Sequence, residues 1–364
     1  MVAEFLQDLV LNRWRRALEC YTRLKLRSFH LADAPATAKS LNLELQDFRG
    51  DFDKVSDLIQ SSWSENTQKP LLYSPDFLAS CFEYPGSSYA LAPTMYMGNE
   101  PVAFAAGFPR TIRYRGRDLR VIVASFLSVS VGQKNKGYGV LLWNELVKRA
   151  RAAGYDGMVN YCVDGEAMNA IILGCCRMLK LATARFFSAR YQMCVLAPKR
   201  RPPAHAERRE SIGGDAVAAF LEGVQPILES TPLARVWSAT EAAWQLARYG
   251  SIVAQHVVDS RRGMITGYLM EIANPQRTRC LLIEDLLWGS LELREREKLL
   301  QLFLDRGTFA GAQMAIVPIL NYADLEPLRV ARFRSSPRIV HGYLTIFSGE
   351  PIPEEVPAEY LDIF

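Results

Sequence analysis

Lys134-Asn135-Lys136-Gly137-Tyr138-Gly139 combines two glycines with two lysines, between an alternating apolar stretch and an amphipathic one. A turn of this composition suits an anion. Backbone N–H groups at a helix start have no intrahelical partner, and the helix dipole adds about half a unit of positive charge there. Glycine at 137 and 139 lets the backbone approach a diphosphate, and Lys134 and Lys136 add compensating charge. Two other phosphate sites are excluded by spacing. A nucleotide-hydrolysing loop needs G-x-x-x-x-G-K-S/T, and a dinucleotide fold needs a third glycine where Leu142 stands.

The remaining reactive side chains form no recognisable metal or redox site. Seven cysteines are an odd number with no C-x-x-C pair, and none of the four histidines stands at metal-ligand spacing from them. Reduced thiols, no metal and a cytoplasmic location are expected. His30 and His205 fall in non-core segments, while His256 and His341 fall on expected strands as structural, hydrogen-bonded groups.

The elements that position the turn are legible from periodicity. A strand at 121–131 places Leu127, Val129 and Val131 on one face and Ser128 and Ser130 on the other. A helix from Gly139 to Ala153 follows, with Tyr138, Leu141, Leu142, Leu146, Ala150 and Ala153 recurring at three- and four-residue steps and Gly154 as its stop. Upstream come a helix at 53–63, strands at 88–97 and 101–109 joined by Gly98-Asn99, and a hairpin turning at Arg115-Gly116. Downstream come a strand at 157–163 and a helix at 166–180.

Residues 197–212 concentrate proline and charge and mark a linker. After it the same order returns: strands at 252–258 and 264–272 around a turn at 259–263, a strand at 280–287, and a helix at 292–305 ending at Gly307. Asn169 precedes Leu181 by the same spacing as Asn321 precedes Phe333, so the halves read as copies. The second copy lacks the turn, because Leu287 to Arg294 contains no G-x-G and carries Glu292 where a phosphate would sit. The expected class is α/β with a mixed α+β sheet. Its parts are an N-terminal helical segment (1–44), a first domain (45–196), the linker (197–212), a second domain (213–348) and an acidic tail (349–364).

With 364 residues, 49% of them hydrophobic, the chain can bury two cores. A net charge of +4 is too weak for a nucleic-acid surface, and Lys199, Arg200 and Arg201 read as part of the solvated linker. No apolar run reaches membrane-spanning length, and Asp8, Arg13, Arg15 and Arg16 interrupt any signal-peptide core. Residues 4–28 form a basic amphipathic pattern, expected to pack on its own domain, with peripheral membrane contact as the alternative.

The stretch Val129-Ser130-Val131-Gly132-Gln133-Lys134-Asn135-Lys136-Gly137-Tyr138-Gly139 resembles the GNAT superfamily of acyl-CoA N-acyltransferases, whose pattern is Q/R-x-x-G-x-G/A after an apolar strand. Lys134 departs from Gln or Arg. The resemblance extends through Asn169 over roughly residues 45–196. It implies two tandem GNAT-like domains, the second degenerate and walling the acceptor pocket. It also implies that residues 134–139 hold the diphosphate of acetyl-CoA or another acyl-CoA, with Leu127 and Val129 beside the pantetheine and Asn169 a further cofactor-binding residue. The implied activity is acyl transfer, most simply acetyl transfer, to a small-molecule or peptide amine by direct attack. A catalytically silent acyl-CoA-binding sensor or assembly protein is the alternative.

Transfer from a thioester needs a base for the ammonium and an acid for the leaving thiolate. The family's acid, a Tyr seven residues past the Asn, is matched by Cys176, beside Cys175. A thiol can protonate a thiolate, but a helix-borne cysteine is commonly core. Tyr191 and Tyr161 are alternative donors. The family's basic Glu is matched by Val123, which leaves a water held by Ser125 or Ser128, the pair Asp164 and Glu166, or Glu284 and Asp285. Some tandem members use the terminal carboxylate, which here would belong to Phe364.

Overall fold

A computed structural model describes residues 43–63, 71–165, 167–197, 214–274, 276–318, 322–348 and 359–361. The expected helix at 4–28, nearly all of the linker, Asn321 and most of the segment from 349 onward lie outside the described residues.

The first half runs β1 (Leu43–Asp47), α1 (Phe52–Trp63), β2 (Leu71–Leu72), α2 (Pro75–Phe82), β3 (Pro93–Met97), β4 (Glu100–Tyr114), β5 (Arg117–Val129), α3 (Tyr138–Ala152), β6 (Gly157–Val163), α4 (Ala167–Met178) and β7 (Ala182–Val195). The second runs α5 (Gly214–Ser230), β8 (Leu233–Val236), α6 (Ala239–Ala247), β9 (Ser251–Val258), β10 (Arg261–Asn274), β11 (Gln276–Leu287), α7 (Leu293–Phe309), β12 (Met314–Val317), α8 (Glu326–Val330), β13 (Arg334–Ile346) and β14 (Glu359–Tyr360). The mixed α/β class is as the sequence implied.

Local chemistry accounts for the boundaries. Ser74 caps α2 by accepting from the Phe77 N–H, and Pro75 opens the helix where no N–H is needed. Arg115 (φ 51°) and Gly116 (φ 74°) make the two-residue turn that joins β4 to β5 tightly. The β9–β10 turn is shorter than the expected 259–263, because Asp259 itself takes φ 52° and Arg261 already pairs with Val258. Gly307 does not stop α7. It lies inside the helix, where a β-carbon would come 2.4 Å from Leu281, so its smallness serves helix-to-sheet packing.

Among the described residues all strands belong to one sheet, in the order β1-β3-β4-β5-β6-β13-β7-β12-β11-β10-β2, with β9 on β10 and β8 carrying β14 beside β4. The centre of this order is palindromic. β6 pairs in parallel with β5 and antiparallel with β13, while β12 pairs in parallel with β11 and antiparallel with β7. Each half therefore inserts its last long strand into the sheet of the other.

The sheet is covered on both faces. α1 and α2 pack on Phe104, Phe108, Phe126, Tyr268 and Leu282 on one side. On the other, α3 and α4 pack on Ile122, Met158 and Tyr343, and α7 packs on Leu281 and Ile283. Leu142, Trp143, Leu146 and Val147 of α3 are each at most 2% exposed. At about 2 kcal/mol per buried side chain, they fix this helix against the sheet.

Candidate active site

Beyond Val129 the chain makes a short 3-10 turn at Val131–Gln133, passes through Asn135 at φ 63°, and reaches Gly137 at φ 84°, which caps α3. Only glycine adopts that last conformation without strain. No side chain caps the helix and its first turn carries no acidic residue, so its leading N–H groups point outward. Gly132, Asn135 and Lys136 are exposed and Gly137 to Val140 half-buried, so the junction opens to solvent. Lys136 Nζ donates to Gln133 Oε1 at 2.7 Å, and Lys134 Nζ donates to the Ser62 carbonyl at 2.9 Å, tying the turn to the end of α1.

The corresponding junction of the second half is closed. Glu292 and Glu295 form a capping box on α7, and Arg261 pairs with both carboxylates at 2.8 Å. Negative side chains fill the place an anion would take.

The strand before the open junction parts from its neighbour. β5 pairs with β6 from Val121/Gly157 to Ala124/Asn160 and no further. β5 then continues to Val129 against β4 alone, and β6 continues to Val163 against β13 alone. A register shift opposite Ala105 and φ 61° at Phe126 mark a bulge at the point of divergence. The strained residue is held by its ring, which stands edge-on to Tyr73 at 4.9 Å and to Phe108 at 5.8 Å.

Two buried polar atoms flank this wedge without a hydrogen-bond partner: Ser128 Oγ on β5 and Asn160 Nδ2 on β6. Asn160 spends its oxygen on the Trp143 Nε1–H at 3.1 Å. Buried groups of this kind are costly unless something pairs with them, which suits a ligand carrying amide groups between the strands. Leu127 and Val129 pack on the α3 side beside Tyr138, and Asn169 bridges the Val163 carbonyl (Nδ2, 2.7 Å) and the Tyr343 hydroxyl (Oδ1, 3.1 Å).

The other sequence candidates scatter. Cys176 is 2% exposed, with its sulfur 3.6 Å from Thr345 Oγ1, and burial raises its pKa. It packs with Cys175, whose thiol burial pushes up to about 12. Tyr191 packs against the aromatic cluster that contains Phe126. Tyr161 packs on the same face, with its ring 6.4 Å from Phe186. Asp164 Oδ1 lies 3.2 Å from His341 Nε2, whose Nδ1 lies 2.8 Å from Ser188 Oγ. Glu284 is paired with Arg248, and Asp285 accepts from Thr266, Tyr360 and Gln245. Glu166 and Phe364 lie outside the described residues.

On the α1/α2 face, a crevice of about 10 Å³, room for about one water, lies beside the bulge. It is lined by Cys81, Phe108, Arg110, Ser125, Phe126 and Trp244, so the second half supplies one wall through α6. Burial pushes the Cys81 thiol up to about 12, which leaves it inert there. Trp244 and Arg110 carry no sequence signal, because their positions depend on how the halves meet.

No family model matches the sequence, and no curated protein aligns with it. Solved structures do match. Saccharomyces cerevisiae N-myristoyltransferase, solved with bound myristoyl-CoA and inhibitors, superposes with a TM-score of 0.65 at 13% identity, covering 86% of this chain and 82% of that one. This chain has the overall fold of that N-myristoyltransferase. A putative acetyltransferase from Pyrococcus horikoshii matches at TM-score 0.50 and 11% identity, over 91% of this chain and 98% of that one. The shared fold agrees with the one that the resemblance carried by the Lys134–Gly139 turn implies. Among the described residues no cluster of three or more His, Cys, Asp or Glu could hold a metal, and no helix is long and apolar enough to cross a membrane.

Proposed function

We propose that this chain is an acyl-CoA-dependent N-acyltransferase whose single active site lies in the first half. The observation that carries the reading is the coincidence of an uncapped, solvent-open helix start with a wedge between β5 and β6. The diphosphate would rest on the amides of residues 134–139. The pantetheine arm would lie between the parted strands beside Leu127 and Val129, within reach of Ser128 and Asn160. Asn169 ties the Val163 carbonyl of the wedge wall to the Tyr343 hydroxyl of β13. Acetyl-CoA is the proposed donor. Rings of Phe108, Phe126, Tyr73 and Phe77 pack closely around the bulge and leave a short acyl group the easiest fit, whereas the yeast neighbour was solved with a myristoyl donor.

The acceptor, a small-molecule or peptide amine, would approach from the side of Ser125, where the crevice must widen to admit it. Losing a proton from an ammonium of pKa near 10 costs about 4 kcal/mol at neutral pH. The crevice lining holds no carboxylate, so water at Ser125 or Ser128 is the proposed base. That missing carboxylate is also what favours the second reading, a silent acyl-CoA sensor. The division into units at 45–196 and 213–348 belongs to the same proposal, as does a cytoplasmic location, in keeping with cysteines present as thiols among the described residues.

Gly137→Glu puts a carboxylate at the diphosphate position and should lower acetyl-CoA affinity at least tenfold in a calorimetric titration. Unchanged affinity would remove the site. Tight binding by the native chain with no thiol release across a broad amine panel would leave the sensor.

A further inference from the structure

Acyl transfer leaves a thiolate that must be protonated, and the residue that the resemblance puts in charge of this, Cys176, is turned away. Its sulfur faces Thr345 Oγ1, which in turn lies 2.9 Å from Thr183 Oγ1. The hydroxyl on that face of the wedge comes from elsewhere in the chain. β13, a strand of the second half, runs beside β6, and its Tyr343 lies directly across from Asn160. Asn160 is the last β6 residue paired with β5, so Tyr343 stands level with the tip of the wedge. Its side chain shares the α4 face with Asn160, whose Nδ2 is buried without a partner. The phenol donates to Asn169 Oδ1 at 3.1 Å, and Asn169 also holds the carbonyl of Val163 in the unpaired part of the wedge wall.

Resting on the acyltransferase reading, we propose that Tyr343 is the proton donor to the leaving thiolate. The amine nitrogen attacks the thioester carbonyl carbon, forming C–N as the C–S bond breaks with its electron pair on sulfur. Sulfur takes the Tyr343 proton. The phenolate regains one from solvent, balancing the proton lost by the amine, and the products are an amide and free thiol. Asn169 positions the phenol. Tyr343 is 5% exposed, and burial raises its hydroxyl above the ordinary value despite the opposing charge of Arg185, so it is protonated at neutral pH. Cys162 on β6 and Asp164, just past its end, are the other titratable groups that act on it.

The test compares two donors on the full chain, native and Tyr343→Phe. One donor is acetyl-CoA. The other is an acetyl ester of a nitro-substituted aromatic thiol, which departs as a stable thiolate and needs no acid. With acetyl-CoA, kcat should fall about 100-fold, while KM and acetyl-CoA affinity stay within twofold. With the activated donor the two proteins should differ by less than about threefold. The ratio between donors is read on the same sample, so partial unfolding of the variant cancels. Equal losses with both donors would reduce Tyr343 to a packing residue, and no loss with either would remove it from the mechanism; both outcomes leave the acyltransferase reading standing. A native chain that binds acetyl-CoA but transfers nothing to any amine overturns both.

Discussion

Arg248 and Glu284 form an ion pair in which the side chains are 2% and 5% exposed, at the junction of α6 with the β11 strand. The guanidinium also lies over the Tyr268 ring at 3.9 Å, and Glu284 accepts from Gln245 as well. Pairs so far from water stabilise little over an apolar replacement, yet losing one partner strands the other. Arg248→Met should therefore cost about 3–5 kcal/mol in urea unfolding. Adding Glu284→Gln should recover most of that loss, since no bare carboxylate then remains inside. A double variant no more stable than the single one would mean that the destabilisation comes from lost packing on Tyr268 instead.

Two helix starts in this fold have opposite chemistry, and hydrogen exchange can tell them apart. α3 begins at Gly137 without a side-chain cap, whereas α7 begins under Glu292 and Glu295 with Arg261 across them. Acetyl-CoA should slow amide exchange at 138–141 and along 125–129 and leave 293–296 unchanged. Protection confined to α7 would reverse the assignment of the two halves. Much of this contrast was legible in the sequence, because a turn, its strand and its helix are local: β6 begins and ends where periodicity put it, and α3 starts one residue early. Glu292 in place of a glycine was visible as well. The bulge at Phe126 was not, since a positive φ at a phenylalanine is imposed by the rings of Tyr73 and Phe108, which arrive from elsewhere in the chain. The same is true of Cys176, whose spacing from Asn169 is right while the thiol faces Thr345 on a strand that no local pattern could bring there.

The exchange of β7 and β13 makes the two halves mechanically one body. Without the second half, β6 would lose Val340 to Ile346 along its whole length, and β7 would lose both neighbours. Unpaired edges of that length, rich in Val, Phe and Ala, invite aggregation rather than folding. The C-terminal end adds a clasp: Glu359 and Tyr360 pair with Leu233 and Ala234, and β8 lies against Thr111 to Tyr114 of the first half. Tyr360 also donates to Asp285 at 2.8 Å and accepts from Trp237 at 3.1 Å. Fragments 1–205 and 206–364 should each fail to give a cooperative melt when produced alone. Produced together, they should reassemble into a complex that binds acetyl-CoA and unfolds in one transition, because the sheet and not the covalent linker joins the halves. If fragment 1–205 alone were monomeric, cooperatively folded and fully competent for acetyl-CoA, then β13 would be dispensable to the wedge. Tyr343 would then be unnecessary for acetyl-CoA binding, and the shared sheet would not be what holds the first half together.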